Sequence, residues 1–400
     1  MEVAVNRSAR IFVTGLGIIS PAGAGIAPFW EDLCAARNRF TDLAPLYPGM
    51  KADVLGGRVP KNAWDAALDQ VSDRTRTLPR VASVFAEYAA FEALRDAGLE
   101  CGDDLVRNAL VCIGTSDGQA NALEGIVGER KDITETGGFS SYSITEDVAS
   151  AIGTRGPVFT TQSTCASANV AVSCAMEMLR SGVADTAVVG GCDPYSEKNI
   201  IGFSSLQTIG AMRCRPFSVD RRYVTPSEGA GILVLQTENA LRPGQQPYAE
   251  ILATAINNDA SHPTAPDRGG VEACHHRALA EAGITAADID VIFAHGTGSR
   301  ANDAVEGAIF TENYPRAAVT AIKGTIGHLM GAAGAAGAVA SCLTLRHGLV
   351  PPTAVDSTEV DGGLNLVTGA PLALPRLRYV QNNAFGFGGN NAISIFRNAA

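Results

Sequence analysis

Charge is sparse in this sequence: Asp, Glu, Lys and Arg make up 18% of its 400 residues, and no basic run occurs. With a net charge of −10, that argues against non-specific nucleic-acid binding. The nine cysteines, at 34, 101, 112, 165, 174, 192, 214, 274 and 342, include no Cys-x-x-Cys pair. Neither a zinc ribbon nor a disulfide framework is supported, and a reducing cytosol is expected. The Cys274-His275-His276 run holds adjacent residues that splay apart on a helix, so no metal site is expected. There is no Gly-x-x-x-x-Gly-Lys-[Ser/Thr], and no Gly-x-Gly-x-x-Gly opens a helix after a strand, so no phosphate loop is predicted. Long apolar runs are missing too. Met1 to Arg7 has no signal-peptide core, and the Gly/Ala run after Met330 is too short and too small in its side chains to span a bilayer. The expectation is a soluble, cytoplasmic protein with neither a membrane nor a nucleic-acid partner.

What is present is a large apolar fraction, 46%, with 43 glycines. Such a chain can bury a substantial core and resembles tightly packed α/β enzymes in composition. Strand-like Ile11 to Ile19 is followed by a short helical pattern over Pro28 to Ala36 and a loop-rich stretch over residues 41 to 66. Helical Arg80 to Ala97 closes at Gly98, and Leu110 to Ile113 reads as a buried strand. After residue 157 come a strand, a helix and the strand Thr186 to Gly190. An irregular stretch then runs to Pro226, before strand Gly231 to Gln236. Arg242 to Gln246, with Pro243 and Gly244, is the clearest boundary, dividing the chain into 1–242 and 243–400. A second series follows: strands at Ala249 to Ile256, Val291 to His295, Ala318 to Ile322, near Leu366 and at Ala392 to Phe396. Helices at Val271 to Ala282, Asp303 to Phe310 and Gly331 to Arg346 alternate with them. Alternation predicts parallel-rich sheets covered by helices. Two such series suit an internally duplicated fold, although no sequence repeat shows it.

The chain is organised around Cys165. Val158 to Gln162 is β-branched and aromatic, as in a strand; Ala166 to Arg180 lacks Pro and Gly, as in a helix, and Gly182 closes it. A thiol at the turn between them faces unpaired N–H groups and the positive end of the helix dipole, which favours the thiolate and a nucleophilic role. A lone Cys is more often simply buried. Three later segments bear on the choice: Phe293 to Ser299 with His295, Lys323 to Gly334 with His328, and the Gly-rich Asn383 to Asn391. Each sets a functional group at an element boundary. Taken singly, each has a bland alternative: a hydrogen-bonded core His, a Gly/Ala helix that permits close packing, a plain turn.

Together these four segments resemble the β-ketoacyl-acyl carrier protein synthases, or ketosynthases, of the thiolase superfamily. The resemblance also covers Val13-Thr14-Gly15-Leu16-Gly17 with Ser20-Pro21, Arg215 to Arg222, and Glu228-Gly229-Ala230-Gly231, in the family's order and spacing. It implies a thiolase-like five-layer αβαβα fold of two similar halves, 1–242 carrying the Cys and 243–400 carrying both His and the Gly-rich loop. It also implies an acyltransferase that condenses a Cys-bound acyl group with malonyl-acyl carrier protein, as a homodimer or as a heterodimer with a related subunit. Fatty-acid synthesis and a specialised polyketide or polyene route both fit, and the departures below tilt towards the second. No cofactor or metal is implied beyond the phosphopantetheine arm of the carrier protein.

Carried over by position, Cys165 is the nucleophile, and the N–H groups of Cys165 and Phe387 form the oxyanion hole, with Phe387 also the gate. His295 and His328 hold the malonyl thioester and promote loss of CO₂, Lys323 orients them, and Thr297 and Ser299 contact the phosphopantetheine arm. Arg74, Arg76 and Arg80 stand where carrier-protein docking is expected. Two positions depart from the family. Gly337 stands where a Glu often partners the lysine, and Asp117 replaces a hydrophobic residue beside the acyl pocket, hinting at a short or polar acyl group or at contact with a partner subunit. A non-decarboxylating acyltransferase and a chain-length-factor-type partner subunit are the competing readings. The second typically lacks the Cys that is present here.

Overall fold

The computed structural model describes residues 9–43, 54–77, 80–129, 139–356, 360 and 363–399. Ten strands carry the architecture: β1 (Ile11–Ser20), β2 (Leu110–Gly114), β3 (Val158–Thr161), β4 (Thr186–Asp193) and β5 (Gly229–Thr237), then β6 (Ala249–Asn258), β7 (Val291–Phe293), β8 (Ala318–Thr320), β9 (Tyr379–Gly386) and β10 (Asn390–Asn398). Their order is β3-β2-β4-β5-β1-β6-β10-β9-β7-β8. Read outward from the β1–β6 junction, both halves follow the same rule: first strand, fifth, fourth, second, third. The three outermost strands of each half run parallel, while the fifth strand is antiparallel to its neighbours. The duplication invisible in the residues is therefore explicit in the topology. In the sheet the two halves are joined by the pairs Phe12↔Glu250 and Val13↔Ala249, and the change of series falls between β5 and β6, around Arg242 to Gln246.

Helices α1 (Val81–Asp96) and α2 (Tyr142–Ile152) cover the outer face of the first half. On the second half, α5 (Arg268–Ala282) and α6 (Arg300–Asn313) do the same. Between the two halves lie α3 (Ser167–Arg180) and α7 (Ala333–His347), in the largest apolar cluster. The result is a five-layer αβαβα arrangement, and a helix in its middle layer has sheet on both sides. That explains α7: residues 333–345 are all buried, so the helix is apolar all round. Its small side chains are a steric requirement. A Cβ on Gly334 would lie 2.5 Å from Asn169 Oδ1. The start of the chain obeys the same constraint, because a Cβ on Gly17 of β1 would lie 1.9 Å from the Ala89 carbonyl oxygen of α1.

Three local expectations are corrected. The loop-rich stretch ends in a helix over Lys61–Gln70, and the irregular stretch contains α4 (Glu197–Ser205), capped by the Ser196 hydroxyl. The expected strand near Leu366 is only an isolated bridge to Val319, and the fourth strand of the second half is instead β9. Among the described residues no helix is long and apolar enough to cross a membrane.

Candidate active site

Cys165 sits at the β3–α3 turn. The residue before it, Thr164, holds φ at 50°, a left-handed conformation that costs a non-glycine residue about 1–2 kcal/mol. Thr164 Oγ1 donates to the Phe387 carbonyl oxygen at 2.9 Å, tying the turn to the Gly-rich loop between β9 and β10. That loop closes on the turn, with Phe387 and Cys165 lining one cavity, and the backbone N–H groups of both residues pull the thiol pKa down. Two backbone N–H groups beside a thiol are what an oxyanion hole there requires.

The thiol itself corrects one expectation. Burial pushes it up to about 12, against the pull of Lys323 and the two N–H groups, while Asp193 adds to the rise. Desolvation outweighs the helix N-terminus, so the resting residue is a neutral thiol.

His295 follows β7, and His328 follows the short turn Lys323–Ile326. Their rings stand edge to face with centroids 5.4 Å apart. Both line one cavity of about 560 Å³ with Cys165, Phe387, Thr297 and Ser299. Burial first and the Lys323 charge second hold both imidazoles well below their usual value, so both are neutral. Lys323 Nζ stands 3.3 Å from His295 Nδ1 and donates to the His295 carbonyl oxygen. An ammonium has only protons to give, so Nδ1 accepts and the His295 ring proton is on Nε2.

Lys323 finds counter-charge without a residue-337 carboxylate. Burial lowers its pKa, opposed first by Glu306 and also by Asp303, both on α6. Glu306 is buried and accepts from His295 N at 2.8 Å, Gly296 N at 2.7 Å and Asn302 Nδ2 at 2.8 Å. It thereby fixes the backbone that carries His295. Asp303 accepts from Phe217 N at 2.8 Å, and burial raises it to about 7. The space beside Gly337 is filled by Asn382, whose Oδ1 lies 2.1 Å from where a Cβ would stand. Reading the sequence missed both carboxylates, although Asn302-Asp303-x-x-Glu306 starts three residues after Ser299. That spacing sets both acids on one helix face.

Thr297 Oγ1 donates to Ser299 Oγ at 2.9 Å, placing both hydroxyls on the cavity wall. Phe387 meets Phe203 of α4 with ring centroids 5.7 Å apart, an aromatic pair lining the same cavity as Cys165. Asp117 does not line this cavity. Its buried carboxylate is paired with Lys198 and with Asn199 Nδ2, both on α4.

The arginines are a second correction. Arg80 is buried and paired with Asp147, so its guanidinium is not on offer to a partner protein. Arg76 donates to the carbonyls of Leu68, Asp69 and Val71. Arg74 and Arg76 are both half exposed, the first paired with Glu146 and Asp147 and the second also with Asp73, so both can exchange partners at the surface. His275, in the Cys-His-His run, is buried with Nδ1 2.9 Å from Tyr314 OH and 3.1 Å from Gln381 Nε2. It serves the core of the second half.

Removing the Lys323 ammonium should raise the titration of both histidines and of the thiol, because the cation lowers all three. For Lys323→Ala the acid limb of the condensation pH profile should therefore move to higher pH, with condensation about 100-fold slower at its optimum. An unmoved acid limb would show that Lys323 does not set the imidazole charge state.

Comparison with known proteins fits this geometry. Residues 8–240 match the β-ketoacyl synthase N-terminal domain, and residues 248–355 match its C-terminal domain. Nodulation protein E of Rhizobium meliloti is 31% identical over 404 residues, covering 97% of this chain and 99% of the relative. The 3-oxoacyl-[acyl-carrier-protein] synthase 2 of Rhizobium meliloti strain 1021 is 31% identical over 420 residues, covering 97% and 98%. Among solved structures, the ishigamide ketosynthase/chain length factor superposes with a TM-score of 0.89 at 32% identity, covering 98% of this chain and all of that one. A type II polyketide synthase acyl-carrier protein in complex with its hexaketide-bound ketosynthase gives 0.84 at 25% identity, with 98% and 100% covered. The chain belongs to the β-ketoacyl synthase family, the acyltransferases that build carbon–carbon bonds by condensation.

Proposed function

We propose that this protein is a decarboxylative condensing enzyme that takes an acyl group from an acyl carrier protein and extends it with malonyl-acyl carrier protein. Residues 1–242 supply the nucleophile, and residues 243–400 supply the histidines and the loop. The carrying observation is the convergence on one cavity of a buried thiol, the Phe387 loop and two neutral histidines. In the first step the Cys165 sulfur attacks the donor thioester carbonyl. The N–H groups of Cys165 and Phe387 hold the developing oxyanion, the phosphopantetheine thiol leaves with a proton, and the acyl group stays on sulfur. In the second, malonyl thioester binds with its carbonyl oxygen at the histidines. The C–COO⁻ bond breaks to release CO₂, and the electron pair left behind forms an enolate held by hydrogen bonds. The enolate carbon then attacks the Cys165 thioester, giving the β-ketoacyl product and a Cys thiolate that takes up one proton. Neutral imidazole donors suit this step, because an imidazolium would protonate the enolate carbon before it attacks.

Thr297 and Ser299 are assigned to the phosphopantetheine arm, Phe387 with Phe203 to the gate, and Arg74 and Arg76 to carrier-protein contact. The open edge of β3 offers unpaired backbone groups to a second subunit, identical or related. The cytosol is the compartment assigned. A specialised polyketide or polyene route is favoured over primary fatty-acid synthesis by the similarity to the ishigamide ketosynthase/chain length factor and to a type II polyketide synthase ketosynthase.

Intact-mass spectrometry after mixing with short acyl-carrier thioesters, with and without malonyl-carrier protein, tests the reading. The expected result is a Cys165 adduct that disappears on malonyl addition as a carrier-bound β-keto product forms. A persisting adduct would make the protein a non-decarboxylating acyltransferase, and no adduct would make it a non-catalytic partner subunit.

A further inference from the structure

The rim of the active-site cavity carries two arginines, Arg222 and Arg300, which both contribute to its lining. Both are exposed, and neither forms an ion pair among the described residues. The Arg222 guanidinium lies over the Tyr223 ring at 5.1 Å. Acidic residues outnumber basic ones, 41 to 31, and other arginines are held in ion pairs, such as Arg10 with Glu250 and Arg397 with the same carboxylate, whereas these two stand on the cavity lining without one. Arg300 is also placed against local preference. It is the first residue of α6, where the helix dipole disfavours a cation. The cavity's one lining carboxylate, Asp259, is already engaged: it accepts from Asp267 N at 2.9 Å and from Asn391 Nδ2 at 2.5 Å.

We infer that Arg222 and Arg300 form an anion site for the phosphate of the phosphopantetheine arm. The inference rests on the proposed carrier-borne substrate. The reacting sulfur of that arm must reach Cys165, which is buried, while its only ionised group, the phosphate, lies at the opposite end. With Thr297 and Ser299 on the wall between, the phosphate is brought to the exposed rim where the arginines stand. Guanidinium is the side chain best suited to bidentate phosphate binding. The site would hold the donor and the extender alike, since both arrive on the same arm, and it would read the carrier independently of the acyl group.

The test uses the protein itself with 4′-phosphopantetheine and with pantetheine, each S-methylated so that it does not consume the reagent, as a protector of Cys165 against iodoacetamide. No turnover is involved, so the result stands whether or not condensation is observed. Phosphopantetheine should protect at about tenfold lower concentration than pantetheine, equivalent to about 1.4 kcal/mol, and the ratio should shrink in 0.5 M salt. In the Arg222→Ser/Arg300→Ser double variant the ratio should fall to about one, with pantetheine as the internal reference for an intact cavity. Equal protection by the two compounds in the unaltered protein would overturn the assignment, and so would a double variant that keeps the preference. Carrier protein lacking its arm separates phosphate binding from docking on protein carboxylates. Its affinity should not respond to the double substitution. A weakened complex with a retained phosphate preference would make the arginines docking groups instead.

Discussion

Cys165→Ala should load no acyl group, whereas His295→Ala and His328→Ala should load normally and fail to condense. The separation follows from which bonds each residue touches. Loading needs only the sulfur and the two N–H groups of Cys165 and Phe387, and both histidine substitutions leave these in place. Condensation needs the enolate to be held while CO₂ leaves, and each histidine removes one donor from a dry cavity. Loss of one such preorganised donor costs about 10²–10³ in rate, or about 3–4 kcal/mol. Intact-mass spectrometry reads loading, and release of labelled CO₂ reads decarboxylation. A His295→Ala protein that condenses at the parental rate would remove the assignment.

The charge states make the prediction sharper. Both imidazoles are held well below 6.5 by burial and by Lys323, so between pH 6 and 8 neither titrates. Condensation should be flat on its acid side across that range. The thiol runs the other way. Because burial pushes it up to about 12, alkylation of Cys165 should still be rising at pH 9, by about tenfold per pH unit, with no plateau.

How much of this was legible in the residues depends on the kind of signal. The β3–Cys165–α3 unit was readable because a β-branched strand, a polar turn and a Gly-free helix each follow local rules. Helix α4 was not, since Gly202 and the serines around it dilute any helical pattern, although the helix brings Phe203 to Phe387. Strand β9 was missed for another reason. Gln381, Asn382 and Asn383 read as polar and therefore exposed, yet all three are buried. Each side-chain NH₂ donates to a partner remote in sequence: His275 for Gln381, Gly334 for Asn382 and Glu306 for Asn383. Periodicity cannot show such pairings. The same holds for the thiol, whose position was legible while its desolvation was not, because burial is set by the second half of the chain closing over the first. Arg80 failed as a surface residue for the same reason: its partner Asp147 lies on a different helix.

The second large effect is predicted for a residue with no functional group. Gly386→Ala should cut acyl loading by about 10²–10³ while leaving Cys165 and both histidines in the chain. A Cβ at position 386 would stand 2.1 Å from Thr164 Oγ1 and 3.0 Å from Cys165 N, so the loop and the nucleophile turn would have to part. Two things would be lost together: the Thr164 hydrogen bond to the Phe387 carbonyl oxygen and the placement of the Phe387 N–H beside Cys165. The loss should appear in the rate of loading at saturating donor more than in its KM, because an oxyanion donor acts in the transition state. A second substitution separates this steric account from a general loosening of the fold. Thr164→Ala removes the atom in conflict, so the Gly386→Ala/Thr164→Ala double variant should load faster than Gly386→Ala alone, although more slowly than the parent protein. If the double variant is as slow as the single one, then Thr164 is not what holds residue 386 to glycine. If Gly386→Ala loads at the parental rate, the Phe387 N–H is not the second oxyanion donor.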